Sequence, residues 1–503
     1  MSETFPSLPT RSEPTSVPHK LVITILVLSA FVVILNETIL SVAIPHLMSD
    51  LGVDEPTVQW VSTAFLLTMA VVIPTTGFLV ERLTTRTLYL SAMASFAVGT
   101  LVCALAPGIE MLLTGRVIQA FGTAIMMPLL MTTILQLVPV DRRGQVMGIV
   151  MVVISVAPAL GPTVSGVILQ FLEWRFIFWI VLPIALVMGV VGALRLENVS
   201  ESVDSKLDVL SIPLSALGFG GLVYGLTSMS EGPGSPVLWG SLAVGIVGTA
   251  LFAWRQISLQ RSGRDPLLDL RTLTYQPFRV GLGLIMIGFA ALLGVAILWP
   301  IYLQKVHGIN EILTGALLLP GGLAMGLLGP VIGRLYDQMG AKRLALPAAI
   351  VLVLIIFAMS RVTATTPEWL LLLLHLTMSL SLAFMFTPTF TASLNSLNPH
   401  LYSHGSATLG ALQQVAGAAG TALLMAILAS TRTSAEAAGA TEAVGTLAGV
   451  QLALTVAAGI AIGSVVLAFR LRSGPPTAYE PAGPEPTDLD PVPLDGEPAP
   501  ATS

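Results

Sequence analysis

Polar positions along this 503-residue chain are swept into short gaps between long apolar runs, instead of recurring at the spacing of a water-soluble fold. A membrane-spanning helix needs about 20 mostly apolar residues. Fourteen runs qualify, at residues 21–45, 58–80, 87–107, 111–137, 145–171, 175–196, 207–229, 236–255, 278–303, 311–334, 343–362, 368–390, 404–430 and 449–470. The pattern predicts an all-α polytopic membrane protein with fourteen transmembrane helices.

Basic residues orient the spans, because short cytoplasmic loops carry the excess of Lys and Arg. With the N-terminus inside, 18 of the 23 basic residues fall in inside segments. Four fall outside (Arg175, Lys305, Arg361, Arg432), and Arg116 lies within a span. This bias predicts cytoplasmic termini and an even number of spans. Residues 1–20 are polar and Pro-rich, without the charged segment and cleavage site of a signal peptide, so the first span is expected to act as its own insertion signal. Residues 471–503 carry six acids (Glu480, Glu485, Asp488, Asp490, Asp495, Glu497) among prolines and read as a disordered cytosolic tail.

Composition narrows the function classes. With 54% hydrophobic and 10% charged residues and a mean hydropathy of +0.86, the chain is not a soluble multi-domain protein. The single cysteine, Cys103, lies in an apolar run and excludes an intrachain disulfide or a Cys-based zinc site. No G-x-x-x-x-G-K-[ST] and no H-E-x-x-H occurs, which argues against an ATP-driven pump and a metalloprotease helix. No enzyme activity and no bound metal is expected.

Charge inside the apolar runs changes the picture most. The first run contains ILNETILSVAIP at residues 34–45, with Glu37 among aliphatic neighbours. A charged side chain near the middle of a span costs about 2.5 to 3.5 kcal/mol on insertion scales, so such residues face a cavity or a partner. Taken from the outer ends of their runs, Glu37 and Arg116 lie roughly 12 and 9 Å deep, level enough to pair if their helices are neighbours.

An internal repeat follows the second and tenth runs: GFLVERLTTR at 77–86 and GRLYDQMGAK at 333–342. At an offset of 256, Gly77 meets Gly333, Leu79 meets Leu335, Glu81 meets Asp337 and Arg86 meets Lys342. Glycine lets helices approach closely, while an acid and a base at a helix end cap, pair and fix orientation. Two such turns at matching positions predict two six-helix halves, residues 21–196 and 278–470, with two helices inserted at 207–255. Parallel halves of this kind are the architecture of rocking transporters.

The chain here resembles the major facilitator superfamily, and within it the fourteen-span drug:proton antiporters, over residues 20–472. The loop pattern G-x-L-a-D-r-x-G-r-[KR] is met by Gly77, Leu79, Arg82 and Arg86, with Glu81 for Asp and Thr84 for the second Gly. In the fourth span, R-x-x-q-G is met by Arg116 and Gln119, with Ala120 for Gly. The fifth-span antiporter pattern is met by Gly148, Gly161, Pro162 and Gly166, with Ala157 and Ser165 as small substitutes and Pro158 beside them. In the first span, l-D-x-T-i-v-n-v-A-l-P is met by Thr38, Ala43 and Pro45, but Asn36 stands at the Asp position and Glu37 follows. With HGSATLGALQQVAGAAGTAL at 404–423, this N-E-T variant looks most like the lincomycin-resistance branch.

The resemblance implies a multi-pass protein of the bacterial cell membrane that exports amphipathic small molecules in exchange for protons. It would need no cofactor beyond the proton gradient, engage no nucleic acid, contact lipid and act as a monomer. Glu37 is then the expected proton carrier with Arg116 as its coupled charge; the alternative is a static buried pair that fixes helix register. Ala157, Gly161 and Ser165 are expected to seal the interface between halves, or to be generic small-residue packing. Asn36, Gln59, Trp60, Gln119, His375, Gln413 and Gln414 are possible substrate contacts, although Trp60 also suits an interfacial anchor and His375 a structural hydrogen bond. Asp208 is expected to cap the seventh span. A proton-coupled symporter or exporter of a specific metabolite is the competing reading.

Overall fold

The computed structural model describes residues 19–40, 43–199, 207–231, 235–472 and 474. Nearly all of both expected tails lies outside these residues. The described chain folds into α-helices joined by short 3-10 and π segments. The first half comprises α1 (His19–Ile39), α2 (Ile44–Leu51), α3 (Glu55–Arg82), α4 (Thr85–Ala104), α5 (Ile109–Leu137), α6 (Arg143–Phe171) and α7 (Arg175–Arg195). Next come α8 (Ser211–Ser215), α9 (Gly221–Thr227) and α10 (Pro236–Arg261). The second half comprises α11 (Gln276–Lys305), α12 (Glu311–Leu327), α13 (Gly329–Met339), α14 (Ala341–Met359), α15 (Glu368–Asn395), α16 (Tyr402–Ala437) and α17 (Glu442–Phe469).

Twelve of the described helices are long and apolar enough to cross a membrane, and α12 with α13 passes the same test across a 41° bend. The expected fourteen spans therefore appear as twelve, or thirteen with the bent pair. The seventh expected run is realised as an apolar stretch, Ser211–Thr227, interrupted by a π segment at Ala216–Gly220 and shorter than a full span. The first expected run is also cut. Its helix stops at Ile39, and Pro45 sits in the first turn of the separate α2. Proline has no N–H to donate and a fixed φ, which suits a helix start and not a helix interior. Pro330 starts α13 in the same way.

Helix starts are written in the sequence as side-chain caps. Asp54 accepts from the Thr57 backbone N–H at 3.1 Å, and Asn310 from that of Leu313 at 2.8 Å. Large apolar side chains such as Leu194, Trp239 and Trp254 face outward, where lipid is the solvent. Because lipid is as apolar as leucine, helices here associate through close approach and polar contacts more than through hydrophobic burial. In the inserted pair, a Cβ on Gly221 would lie 2.8 Å from the Gly245 backbone, and one on Gly248 would lie 2.6 Å from the Gly218 nitrogen. The first member of the pair, Ser211–Thr227, packs on both α3 and α16, and so covers one seam between the halves.

Candidate functional site

The two halves are clasped at the end that carries the repeated basic turns. Gly144 and Gly148 of α6 face Gly333 and Gly329 of α13, each pair in backbone contact that leaves no room for a Cβ. Beside them the Asp337 carboxylate accepts hydrogen bonds from the backbone N–H groups of Gly144 at 2.8 Å and Gln145 at 3.0 Å. A carboxylate there meets the unsatisfied donors and positive pole of the α6 N-terminus. Its repeat mate Glu81 does the corresponding work at the start of α16, accepting from the Ser403 hydroxyl at 2.7 Å and lying 3.1 Å from His404 Nε2. Arg143 completes the clasp, donating to Asn395 Oδ1 at 2.8 Å and to the Tyr402 hydroxyl at 3.2 Å. Gly77 is what lets His404 come in, since a Cβ there would meet its Nδ1 at 2.7 Å.

Other members of the repeated turns work within their own half. The Arg86 guanidinium donates to the Ala193 carbonyl, and its backbone N–H donates to Asn198 at 3.2 Å. The Arg82 guanidinium lies 5.9 Å from the Phe78 ring centroid. Lys342 is half-buried at the start of α14.

Between the halves, away from the clasp, lies a cavity of about 590 Å³. Its wall is apolar and sulfur-bearing, with Met69, Met127, Phe289 and Met325, and carries scattered hydroxyl, amide and imidazole groups. Glu37 is the one carboxylate among the described lining residues, which include no Lys or Arg. Toward the clasp the lining residues Met131, Leu394, Ser406 and Leu409 are buried, whereas Pro162, Thr163 and Gly315 near the other end are exposed. The chamber is therefore shut at the basic-turn end and open at the opposite one.

The break after Ile39 places Glu37 in the last turn of α1, nearer the helix end than the long first run implied. Arg116 lies on the neighbouring α5 and is buried, but no ion pair within 4.0 Å joins it to Glu37 among the described residues. The guanidinium is held instead by the Val61 carbonyl at 3.3 Å, by Gln119 Oε1 at 3.0 Å and by the Phe65 ring, 3.9 Å from its centroid. Gln119 in turn donates to Thr100 at 2.8 Å. The closed static pair is thus not formed in this conformation, because backbone, amide and aromatic partners within the first half already satisfy the arginine.

The structure divides the other expected site residues. His375, Gln413 and Gln414 line the cavity; Asn36, Gln59, Trp60 and Gln119 do not. Asn36 is fully buried one residue from Glu37, and neither of its amide atoms has a partner among the described residues. Trp60 stands 5.6 Å from the Tyr224 ring, on the inserted segment. Within the fifth-span stripe the contacts divide between the halves. Gly161 packs against Thr38 of α1, within its own half, and no atom lies within 4 Å of a Cβ built on Gly166. Ala157 and Ser165 are buried, while Pro158 and Pro162 line the cavity. Between the halves α6 packs through Gly144 and Gly148 on α13, and through Val156 and Ala159 on Gly326 and Gly322 of α12. Asp208 is not the cap of the seventh stretch, since the N-cap of α8 is Leu210, without a side-chain cap bond. Asp208 forms a two-point ion pair with Arg255, at 2.7 and 3.1 Å, and accepts from the Ser211 hydroxyl at 2.6 Å. That pairing holds its carboxyl below the usual aspartate range.

Gly144, Gly329, Arg143, Ser403 and His404 are clasp residues that pattern reading passes over. A signal was present, since Gly144-x-x-x-Gly148 and Gly329-x-x-x-Gly333 are two four-residue glycine repeats on helices of opposite halves.

Residues 26–421 match the family model described as Major Facilitator Superfamily. An uncharacterized MFS-type transporter, YcnB of Bacillus subtilis (strain 168), is 38% identical over 456 residues, covering 90% of this chain and 95% of that one. The lincomycin resistance protein LmrB of Listeria monocytogenes serovar 1/2a is 39% identical over 404 residues, covering 80% and 85%. Among solved structures, the proton:xylose symporter XylE superposes with a TM-score of 0.63 at 13% identity, covering 92% of this chain and 97% of that one. The human organic anion transporter MFSD10 gives 0.61 at 16%, covering 90% and 100%. At those identities the two structures speak for the fold alone.

Proposed function

We propose, since this chain belongs to the major facilitator superfamily and to the branch whose relatives include lincomycin resistance proteins, that it exports amphipathic small molecules in exchange for protons. The family is one of transporters and not of enzymes. The observation that carries the reading is a two-halved cavity, shut at one end by a polar clasp, with Glu37 as the one lining carboxylate among the described residues. The basic turns are taken as cytoplasmic, so the described conformation faces outward and Glu37 stands where it exchanges protons with the outside. Rocking would break the Asp337 and Glu81 contacts, open the cytoplasmic end and release the proton as substrate loads. Fourteen spans complete the topology, with Ser211–Thr227 as the seventh and the bent pair Glu311–Met339 as the tenth. Both termini are then cytoplasmic in a bacterial cell membrane, and the single chain is the working unit without a cofactor.

A proton moving down about 100 mV releases about 2.3 kcal/mol, and each pH unit adds about 1.4. At about 1.4 kcal/mol per tenfold, the voltage term alone supports roughly a 50-fold gradient of a neutral substrate. The deciding experiment is efflux of a panel of amphipathic dyes and drugs from proteoliposomes with an imposed pH gradient. Gradient-dependent export that disappears with a protonophore is expected. Transport in the same direction as the proton would replace antiport with symport.

A further inference from the structure

The last helix ends beside the second of the repeated turns. α14 and α17 pack together, and the chain that leaves α17 touches the turn that opens α14. Gly340, at a φ of +79° in that turn, lies against the Gly474 backbone, and a Cβ there would overlap the Gly474 carbonyl. Five basic residues belong to this junction: Arg334 on α13, Lys342 and Arg343 in the first turn of α14, and Arg470 and Arg472 just after α17. Four are exposed and Lys342 is half-buried. None of the five forms an ion pair within 4.0 Å among the described residues. Asp337 is the one acid in residues 328–348 and 466–474, and the α6 backbone occupies it. Across the seam Asp141 faces its own neighbour Arg142 at 4.0 Å.

Basic side chains at other helix ends are met by acids of the chain: Arg255 by Asp208 at 2.7 Å, Arg271 by Asp269 at 2.6 Å and Arg175 by Asp50 at 2.8 Å. A cytoplasmic position by itself accounts for basic residues at this end. It does not account for the sequence that follows them. Residues 475–503 carry six acids and no Lys or Arg. The first acid, Glu480, comes six residues after Gly474, a stretch that spans at most about 20 Å. Such a tether holds the acids at a local concentration of roughly millimolar. Several facing charges then act together, where one exposed pair adds little.

We infer that the acidic segment 480–497 docks on this basic corner of its own chain. Its carboxylates supply the counter-charges that the described helices do not, and the contact of Gly474 with Gly340 starts the segment at the corner. Docked there, it covers the turn three residues beyond Asp337 and takes up basic groups that anionic lipid headgroups would otherwise attract. The inference does not depend on what the cavity carries.

The test is the distance between spin labels on Gln338→Cys and Leu489→Cys in full-length protein, in a Cys103→Ser background and phosphatidylcholine nanodiscs. Gln338 is exposed on α13, one turn from Arg334. The expected result is a short, narrow distance distribution in about 0.1 M salt. It should lengthen and broaden in about 1 M salt, where the screening length falls from about 10 to about 3 Å. Neutralising the acids by Glu480→Gln, Glu485→Gln, Asp488→Asn, Asp490→Asn, Asp495→Asn and Glu497→Gln should do the same at low salt. All six positions lie beyond α17, so the helices keep their sequence. Arg343→Gln with Arg472→Gln leaves three basic groups at the corner and should reduce the short-distance population. Identical distributions in wild type and the neutralised tail overturn the docking. So does a short distance that high salt leaves unchanged, which marks apolar contact. Loss of the short distance when phosphatidylglycerol replaces phosphatidylcholine assigns the corner to anionic lipid and overturns the tail as its occupant.

Discussion

Asp337 and Gly144 lie 193 positions apart in sequence and are joined by a 2.8 Å hydrogen bond across the two halves. The carboxylate adds a second bond to the Gln145 N–H, so one side chain in the second half caps the N-terminus of α6 in the first. Charge-assisted bonds of this kind are worth about 1.5–3 kcal/mol before exposure reduces them, so Asp337→Asn is expected to shift the balance away from the clasped state about tenfold. A cysteine at Ser406, on the buried wall near the clasp, reports the shift through faster reaction with a thiol reagent applied from the basic-turn side. Equal reactivity in wild type and variant would show that the glycine seam alone holds the end closed.

The glycines of α6 separate two kinds of contact. Gly148→Leu drives a side chain into the Gly329 backbone of the other half, whereas Gly161→Leu meets Thr38 in the same half. Both are expected to abolish transport with protein still in the membrane, but only Gly148→Leu should raise thiol reactivity at the clasped end. Gly166→Leu has open space around it and should transport normally, although it belongs to the same sequence pattern. Loss of transport in Gly166→Leu would place a partner there in another conformation.

Much of this was legible in the sequence, and the rest fails for identifiable physical reasons. The repeated turns at Gly77 and Gly333 and the lone acid Glu37 announce themselves, because each violates the apolar background around it. Helix rotation is harder to read. Asn36 and Glu37 are neighbours, yet about 100° around the helix puts one among buried side chains and the other on the cavity. Contacts that span the halves are invisible to periodicity: Glu81 meets His404 across more than three hundred residues. Gly144 and Gly148 read as one helix's small residues until Gly329 and Gly333 are found facing them. Ile39 to Pro45 reads as continuous apolar chain, because hydropathy does not register a helix end.

Topology is checked by labelling single cysteines in a Cys103→Ser background. Ala440→Cys lies in the turn between α16 and α17, and Asp265→Cys between α10 and α11. With fourteen spans and a cytoplasmic N-terminus, an impermeant thiol reagent added outside is expected to modify the first and not the second. Labelling of both from outside would change the parity of spans between them.

Asp50 gives a pH signature outside the membrane. It accepts from Trp174 Nε1 and from Arg175 Nη1, each at 2.8 Å, and these bonds hold its carboxyl below the ordinary value of 3.8. A lowered folded value means the tie between α2 and α7 stabilises fully above that ordinary value and is lost as pH falls through the folded one. The Trp174 contribution to fluorescence, taken as wild type minus Trp174→Phe, should therefore change only on strong acidification. In Asp50→Asn that transition should vanish; its persistence would assign it to another group.

The last prediction concerns Glu37 and Arg116. Arg116 keeps the Val61 carbonyl, Gln119 and the Phe65 ring whatever stands at position 37. Glu37→Gln, which keeps shape but cannot ionise, is therefore expected to give normal yield and thermal stability while losing export driven by a pH gradient. Breaking a buried ion pair instead costs about 3–5 kcal/mol, so a static pair would appear as a marked loss of folded protein. Glu37→Asp keeps a carboxylate at shorter reach and should retain part of the activity. The double variant Glu37→Gln with Arg116→Gln separates the two roles, because a purely structural pair would recover both yield and export once neither charge is left alone. No recovery of gradient-driven export, measured per folded molecule, is expected. Recovery would mean that the proton travels through another group, and the cavity-lining His375 is the next to replace.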